Sequence, residues 1–224
     1  MASAAVGGGP TDTYWANVVA LLNMPGADAS TTFTDATGKA WTPHGSAQID
    51  TSLGYNAGQF TGSGDYLTSP THADFGFGTG NWTIEAWLYM PLVNSNRTLF
   101  DNRTASVIGC GVYANAISGG DGLSFATNSA EILKGPALTA SLLTHVAWCS
   151  ASGTIYGSKD GTIYGTVSDG RTYASSAAPF IGDNYVAPSQ PYGGNNWIKA
   201  LRVTKGVARY TANFTPEAAP WPTS

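Results

Sequence analysis

Hydrolysis of a glycosidic bond needs two carboxyl groups, one on each side of the bond, one of them supplying a proton. The 224 residues contain three glutamates, Glu85, Glu131 and Glu217, and none has an acidic partner at the short spacing that puts two carboxyls on one face of a strand. The three histidines, His44, His72 and His145, stand in no nucleophile elbow and no Cys/His context. His145 opens a strand-like run and reads as a packed or hydrogen-bonding residue. Cys110 and Cys149 end the apolar runs Val107–Cys110 and Val146–Cys149, where a free thiol behaves as a small hydrophobe. Two cysteines are also too few for a disulfide framework or a metal cluster. These residues predict no enzyme.

Binding is the chemistry that the chain is equipped for. Gly182–Trp197 mixes tyrosine, asparagine, glutamine, serine and glycine, the residues of adaptable binding loops: flat amphipathic rings with neutral hydrogen-bonding groups beside them. Tyr185, Tyr192, Asn195, Asn196 and Trp197 are its candidate contacts, with Trp41 and Tyr113 as further rings. Such a loop stacks on a pyranose or packs against another protein.

The elements that must carry this loop are strands. Gly, Pro, Asn or Asp interrupts nearly every window long enough for an amphipathic helix. Short β-rich runs recur instead, at 18–22, 47–49, 59–61, 66–69, 82–90, 98–101, 106–113, 123–126, 142–150, 154–159, 162–167, 178–181 and 197–203. That spacing predicts an antiparallel sandwich or barrel. In Trp82–Met90 the even positions are apolar, so one face is core. The odd positions, Thr83, Glu85, Trp87 and Tyr89, meet either a ligand or a covering loop. Thr154–Val167 reads as a hairpin turning at Asp160-Gly161. The longest connections, 23–46, 68–81, 114–122 and 183–196, are where a rigid sandwich places its binding residues.

Composition narrows the partners. Charged residues make up 11% of the chain, against roughly 25% in an ordinary soluble protein. With a net charge of −4 and no clustered basic face, nucleic acid is excluded as a partner. Lys199, Arg202, Lys205 and Arg209 read as a solvated face or an interface rim. No apolar run reaches the length of a membrane span. Met1–Pro10 lacks the basic start and apolar core of a secretory signal, so residues 1–13 are expected to form a flexible arm ahead of a single domain over 14–224.

Several segments resemble one family. Thr204-Lys205-Gly206-Val207-Ala208-Arg209-Tyr210-Thr211-Ala212-Asn213-Phe214-Thr215-Pro216 is similar to the C-terminal signature of laminin-G-like, concanavalin A-like jelly-roll domains of bacteriophage and prophage virion proteins. Gly64–Leu67, Phe75–Trp87 and His145–Trp148 followed by Lys159-Asp160-Gly161 agree in order and spacing, over roughly residues 14–222. The resemblance implies an all-β, two-sheet antiparallel jelly roll. It also implies a virion location, as a decoration or attachment module on capsid or tail in many copies or as a homo-oligomer. Its expected partners are other virion proteins, met through the N-terminal arm, and host-surface glycan. A lectin module is the alternative, and a glycoside hydrolase with an atypical site the second. Hydrolase relatives carry Glu-x-Asp-x-x-Glu on one strand, which is absent here. Relatives that hold calcium carry an acidic pair where this chain has Lys199-Ala200, so no cofactor is expected. Asp35, Asp65 and Asp183 are the remaining oxygen donors for a metal, each with a structural turn role as the other reading.

Overall fold

The alternation in Trp82–Tyr89 sets the architecture. Trp82, Ile84, Ala86 and Leu88 are all but inaccessible and form one wall of the core. The computed structural model describes residues 11–62, 64–93, 96–114, 122–128, 130–183 and 195–224. Within them lie β1 (Val18–Leu22), β2 (Thr42–His44), β3 (Gln48–Asp50), β4 (Ala57–Phe60), β5 (Tyr66–Thr68), β6 (Trp82–Tyr89), β7 (Arg97–Asp101), β8 (Cys110–Ala114), β9 (Ser124–Thr127), β10 (Glu131–Lys134), β11 (Thr144–Ala151), β12 (Thr154–Lys159), β13 (Thr162–Ser168), β14 (Phe180–Gly182) and β15 (Asn196–Lys205). Two single 3-10 turns, Trp15–Asn17 and Ala73–Phe75, are the helical elements among the described residues.

The strands form two antiparallel sheets, so the fold is the expected all-β sandwich of jelly-roll type. One sheet has eight strands in the order β13-β12-β11-β6-β15-β4-β3, with β1 also on β15. The other has seven, in the order β10-β9-β8-β7-β14-β5-β2. The sheets meet through a shared apolar core in which Trp82 stacks on Phe125 of the opposite sheet, ring centroids 5.5 Å apart. The Thr154–Ser168 hairpin turns where Asp160 and Gly161 both take positive φ, 48° and 79°, as a two-residue turn with right-handed strand twist requires.

Sequence periodicity missed the edge strands β2 and β10. β2 contains Pro43, which cannot donate to a ladder and is tolerated at the sheet edge where it lies. The run expected from residue 106 becomes strand only at Cys110. Asn128 holds the preceding loop by donating to the carbonyls of Thr104 and Val107 and accepting from the Gly109 amide.

The tail accounts for the remaining differences. Gly206, at φ 88°, ends β15 and turns the chain back over the outer face of the eight-stranded sheet. Val207 accepts from the Thr83 hydroxyl at 3.0 Å and the Arg209 amide donates back to it at 2.9 Å. Tyr210 donates its hydroxyl to Glu85 at 2.8 Å, and the Trp87 indole donates to the Glu217 carbonyl at 3.0 Å. The Tyr210 and Phe214 rings stack at 3.6 Å, and Asn23 exchanges two hydrogen bonds with the Trp221 backbone. A covering segment therefore occupies the odd positions of β6 as far as Trp87.

Beneath the tail lies a network of buried charge. Arg202 and Glu85 face each other across β15 and β6, Nε to Oε1 at 2.9 Å. His145 lies 3.1 Å from the other Glu85 oxygen. Asp12 accepts from Arg202 at 2.9 Å and from both terminal nitrogens of Arg209 at 3.0 and 2.7 Å. One expectation is corrected here. Arg202 and Arg209 are not a solvated rim: their side chains are 1% and 7% exposed, because the tail folds over them. Just ahead of residue 14, Asp12 is buried and its amide donates to the Ser224 carbonyl at 2.8 Å. Residues 1–10 of the expected arm lie outside the described residues.

Burial alone would raise the Glu85 carboxyl. The Arg202 charge and the hydrogen bond and charge of His145 override it and hold Glu85 at about 2, against an ordinary 4.5. A depressed carboxylate pKa contributes stability that is complete above the unfolded value and lost as pH falls through the folded one. Urea unfolding should therefore show stability falling as pH drops from about 4.5 towards 2, and Glu85→Gln should flatten that slope. At pH 7, Arg202→Met should cost about 3–5 kcal/mol by leaving Glu85 charged and buried without its closest guanidinium. The Glu85→Gln, Arg202→Met double variant should recover part of the loss.

Candidate functional site

Where the tail ends, the outer face of the eight-stranded sheet opens. Ile49 points into the core, so its neighbours Gln48 and Asp50 point outward. Gln59, Trp197 and Tyr89 point the same way from β4, β15 and β6. Strand register aligns them: Gln48 is opposite Gln59, Gln59 opposite Trp197, and Trp197 opposite Tyr89. Four adjacent strands thus present one transverse row of two amides and two rings, all half-buried.

The row is rigidly held. Gln48 donates to Gln59 at 2.9 Å, and Gln59 donates to Asp50 at 3.0 Å. The Trp197 indole also donates to Asp50, fixing its ring, and Tyr89 packs edge-on against that ring at 5.9 Å. Asp50 accepts further bonds from the Ser52 amide and hydroxyl. Burial alone would raise its carboxyl, but the Ser52 amide and the Trp197 indole hold it below the usual carboxylate range. Asp50, beside the row, is therefore ionised at neutral pH and accepts from four donors. Beside it, a cavity of about 330 Å³ lies between Asn23, Pro25, Tyr55, Asn56, Lys199 and Pro220. Pro220 belongs to the tail, which forms one wall.

The structure distributes the sequence-predicted residues unevenly. Trp197 stands in the row, with Asn196 buried beside it and Asn195 exposed just before the strand. Tyr185 and Tyr192 lie outside the described residues. Trp41 and Tyr113 are corrected as ligand contacts. Trp41 is buried, with its indole donating to Asp35 at 3.0 Å and its ring edge-on to Phe75. Tyr113 has no exposure and donates to Asp101 at 3.1 Å, beside Arg103. Both rings fill interior positions because a polar partner there satisfies the NH or OH. Gln48, Gln59, Asp50 and Tyr55 were missed. The available signal was Gln48-Ile49-Asp50, one apolar residue between two outward polar ones.

Two of the candidate oxygen donors are engaged by donors of the protein itself. Asp35 accepts from the Leu21 and Thr37 amides, the Thr37 hydroxyl and the Trp41 indole. Asp65 accepts from the Ser46, Thr61 and Gly62 amides and the Thr61 hydroxyl. Asp183 is buried. Among the described residues, no three His, Cys, Asp or Glu side chains are grouped to hold an ion. Glu85, Glu217 and Asp12 converge on Arg202 beneath the tail, and Glu131 pairs with Lys134.

Two antiparallel sheets packed as a sandwich meet a family description. The laminin G model described as the concanavalin A-like lectin/glucanases superfamily matches residues 61–205. The chain belongs to that family. No curated protein matches it. Among solved members of the lectin/glucanase fold, Domain 4 of an extracellular arabinanase from Geobacillus stearothermophilus, in complex with arabinotriose, is similar at 15% identity and TM-score 0.61, over 86% of this chain and 94% of that one. The binding domain of Paraclostridial Mosquitocidal Protein 1 is similar at 12% and 0.62, over 91% and 51%. The botulinum neurotoxin type G receptor binding domain is similar at 12% and 0.59, over 85% and 48%. At these identities the likeness is one of fold.

The two thiols of this lectin/glucanase domain are free and lie on different sides of a sheet. Cys110 points into the core, while Cys149 lies under the tail, its sulfur 3.3 Å from the Thr83 hydroxyl. Burial pushes both thiols up, Cys149 to about 12, which removes the reactive thiolate at neutral pH. Both should stay unreactive towards Ellman's reagent in the native protein and react together once denaturant unfolds it. Labelling of either in the folded state would contradict this burial.

Proposed function

We propose that the chain is a non-enzymatic attachment module that binds saccharide on the open half of its eight-stranded sheet. The transverse row Gln48, Gln59, Trp197 and Tyr89 carries this reading. Rings give apolar contact to the faces of a sugar, and amides in register give its hydroxyls donors and acceptors, the mix that ligand sites use. Similar structures support this reading: one is bound to arabinotriose, and two are named as binding domains. Against catalysis, Glu85 is held ionised beneath the tail and has no proton to give a leaving group. In this reading no metal is required.

The virion setting belongs to the same proposal and rests on the Thr204–Pro216 sequence. Asp12, which follows the N-terminal arm in sequence, hydrogen-bonds Ser224 on the tail side of the face. Contacts with other virion proteins through that arm would leave the open row turned towards a host-surface glycan. Many copies on one particle would multiply a weak single-site affinity.

A glycan array with the whole chain should show competable binding to a restricted set of oligosaccharides. Trp197→Ala should weaken it by about 2 kcal/mol, the loss typical of an aromatic anchor, and incubation should release no shorter saccharide. Absence of any competable binding, or affinity indifferent to Trp197→Ala, would remove the reading. Product release would convert it to the hydrolase alternative.

A further inference from the structure

We infer that the open face selects acidic saccharides, with the carboxylate of one sugar unit seated on Lys199 and Tyr55. The inference rests on the saccharide reading of that face and names which saccharides it takes.

Lys199 is half-buried at the cavity, its ammonium 4.7 Å from the centre of the Tyr55 ring. The ring face offsets part of the cost of withdrawing that charge from water. Among the described residues no carboxylate pairs with Lys199, and neither its ammonium nor the Tyr55 hydroxyl takes part in a hydrogen bond. Burial, with Tyr89 nearby, raises the Tyr55 hydroxyl above its ordinary range, so it stays a donor at neutral pH. An ammonium and a phenol in one cavity supply hydrogen bonds that a carboxylate accepts more strongly than a neutral hydroxymethyl group does.

The rest of the cavity sets where the anion goes. Asn56 spends its amide nitrogen on the Gly26 carbonyl at 2.6 Å, which leaves its own oxygen to accept from a sugar hydroxyl. Both polar atoms of Asn23 are taken by the Trp221 backbone, so that wall is fixed. Pro25 and Pro220 are apolar sides. The nearby negative group, Asp50, has its oxygens occupied by Trp197, Gln59 and Ser52. It disfavours an anion along the row, so the carboxylate belongs at Lys199 and the neutral units along Trp197 and Gln59. A cavity of about 330 Å³ is at the small end of ligand sites, roughly 300–1,000 Å³, and suits one terminal unit rather than a buried chain.

The test is calorimetric titration of the full chain with matched pairs that differ only in charge: oligogalacturonate, oligoglucuronate and sialyllactose, each against its methyl ester. One acid should bind at least about tenfold tighter than its ester at low salt. That preference should shrink as salt rises from about 50 to about 500 mM. Lys199→Gln should abolish the preference by weakening acid binding much more than ester binding, and Lys199→Arg should keep it, which separates lost charge from lost folding. Esters that bind as tightly as acids, or a Lys199→Gln variant that weakens both equally, would overturn the inference while saccharide binding survives. If no acid, no ester and no neutral saccharide binds, the inference falls together with the function proposed above.

Discussion

Glu85 and Arg202 stand opposite each other on the two central strands of one sheet, on the face that water would otherwise cover. A buried ion pair is a weak source of net stability, because withdrawing both charges from water offsets most of their attraction. Its strength here lies in what it specifies. Neither charge is tolerable without the other, and neither is satisfied without the groups that the tail and the residues before β1 bring: Tyr210, Arg209, Asp12 and the rings of Trp221 and Phe214. The tail has one place to lie, and its resting place determines which part of the sheet stays open.

The buried part of the fold was legible in the chain, and the reason is periodicity. β6 and β11 alternate because each has one face in a core, and the β12–β13 turn is read from Asp160-Gly161. β2 and β10 were illegible because short edge strands carry little apolar signal. Arg202 and Arg209 were misread for a different reason. Charge argues for solvent only when nothing else is known, and the Asp12 and Glu85 that neutralise them come from elsewhere in the sequence.

The site was legible in fewer of its residues. Trp197 stood out as a ring at the start of a strand, but Gln48 and Gln59 are ordinary polar residues until strand register aligns them with it. Register depends on pairing of the neighbouring β3 and β4 with β15, far along the chain from both, and no local pattern encodes it. Trp41 and Tyr113 show the converse. An aromatic with a polar tip looks the same in sequence whether that tip meets a ligand or a buried aspartate.

The hydrogen bond between Asp12 and Ser224 has a further bearing on architecture. It places the entry and exit of the folded unit a few ångströms apart, the geometry that lets a domain be spliced into a surface loop of another protein without stretching that loop. A unit with its two ends so close is carried as an insertion as readily as at an end.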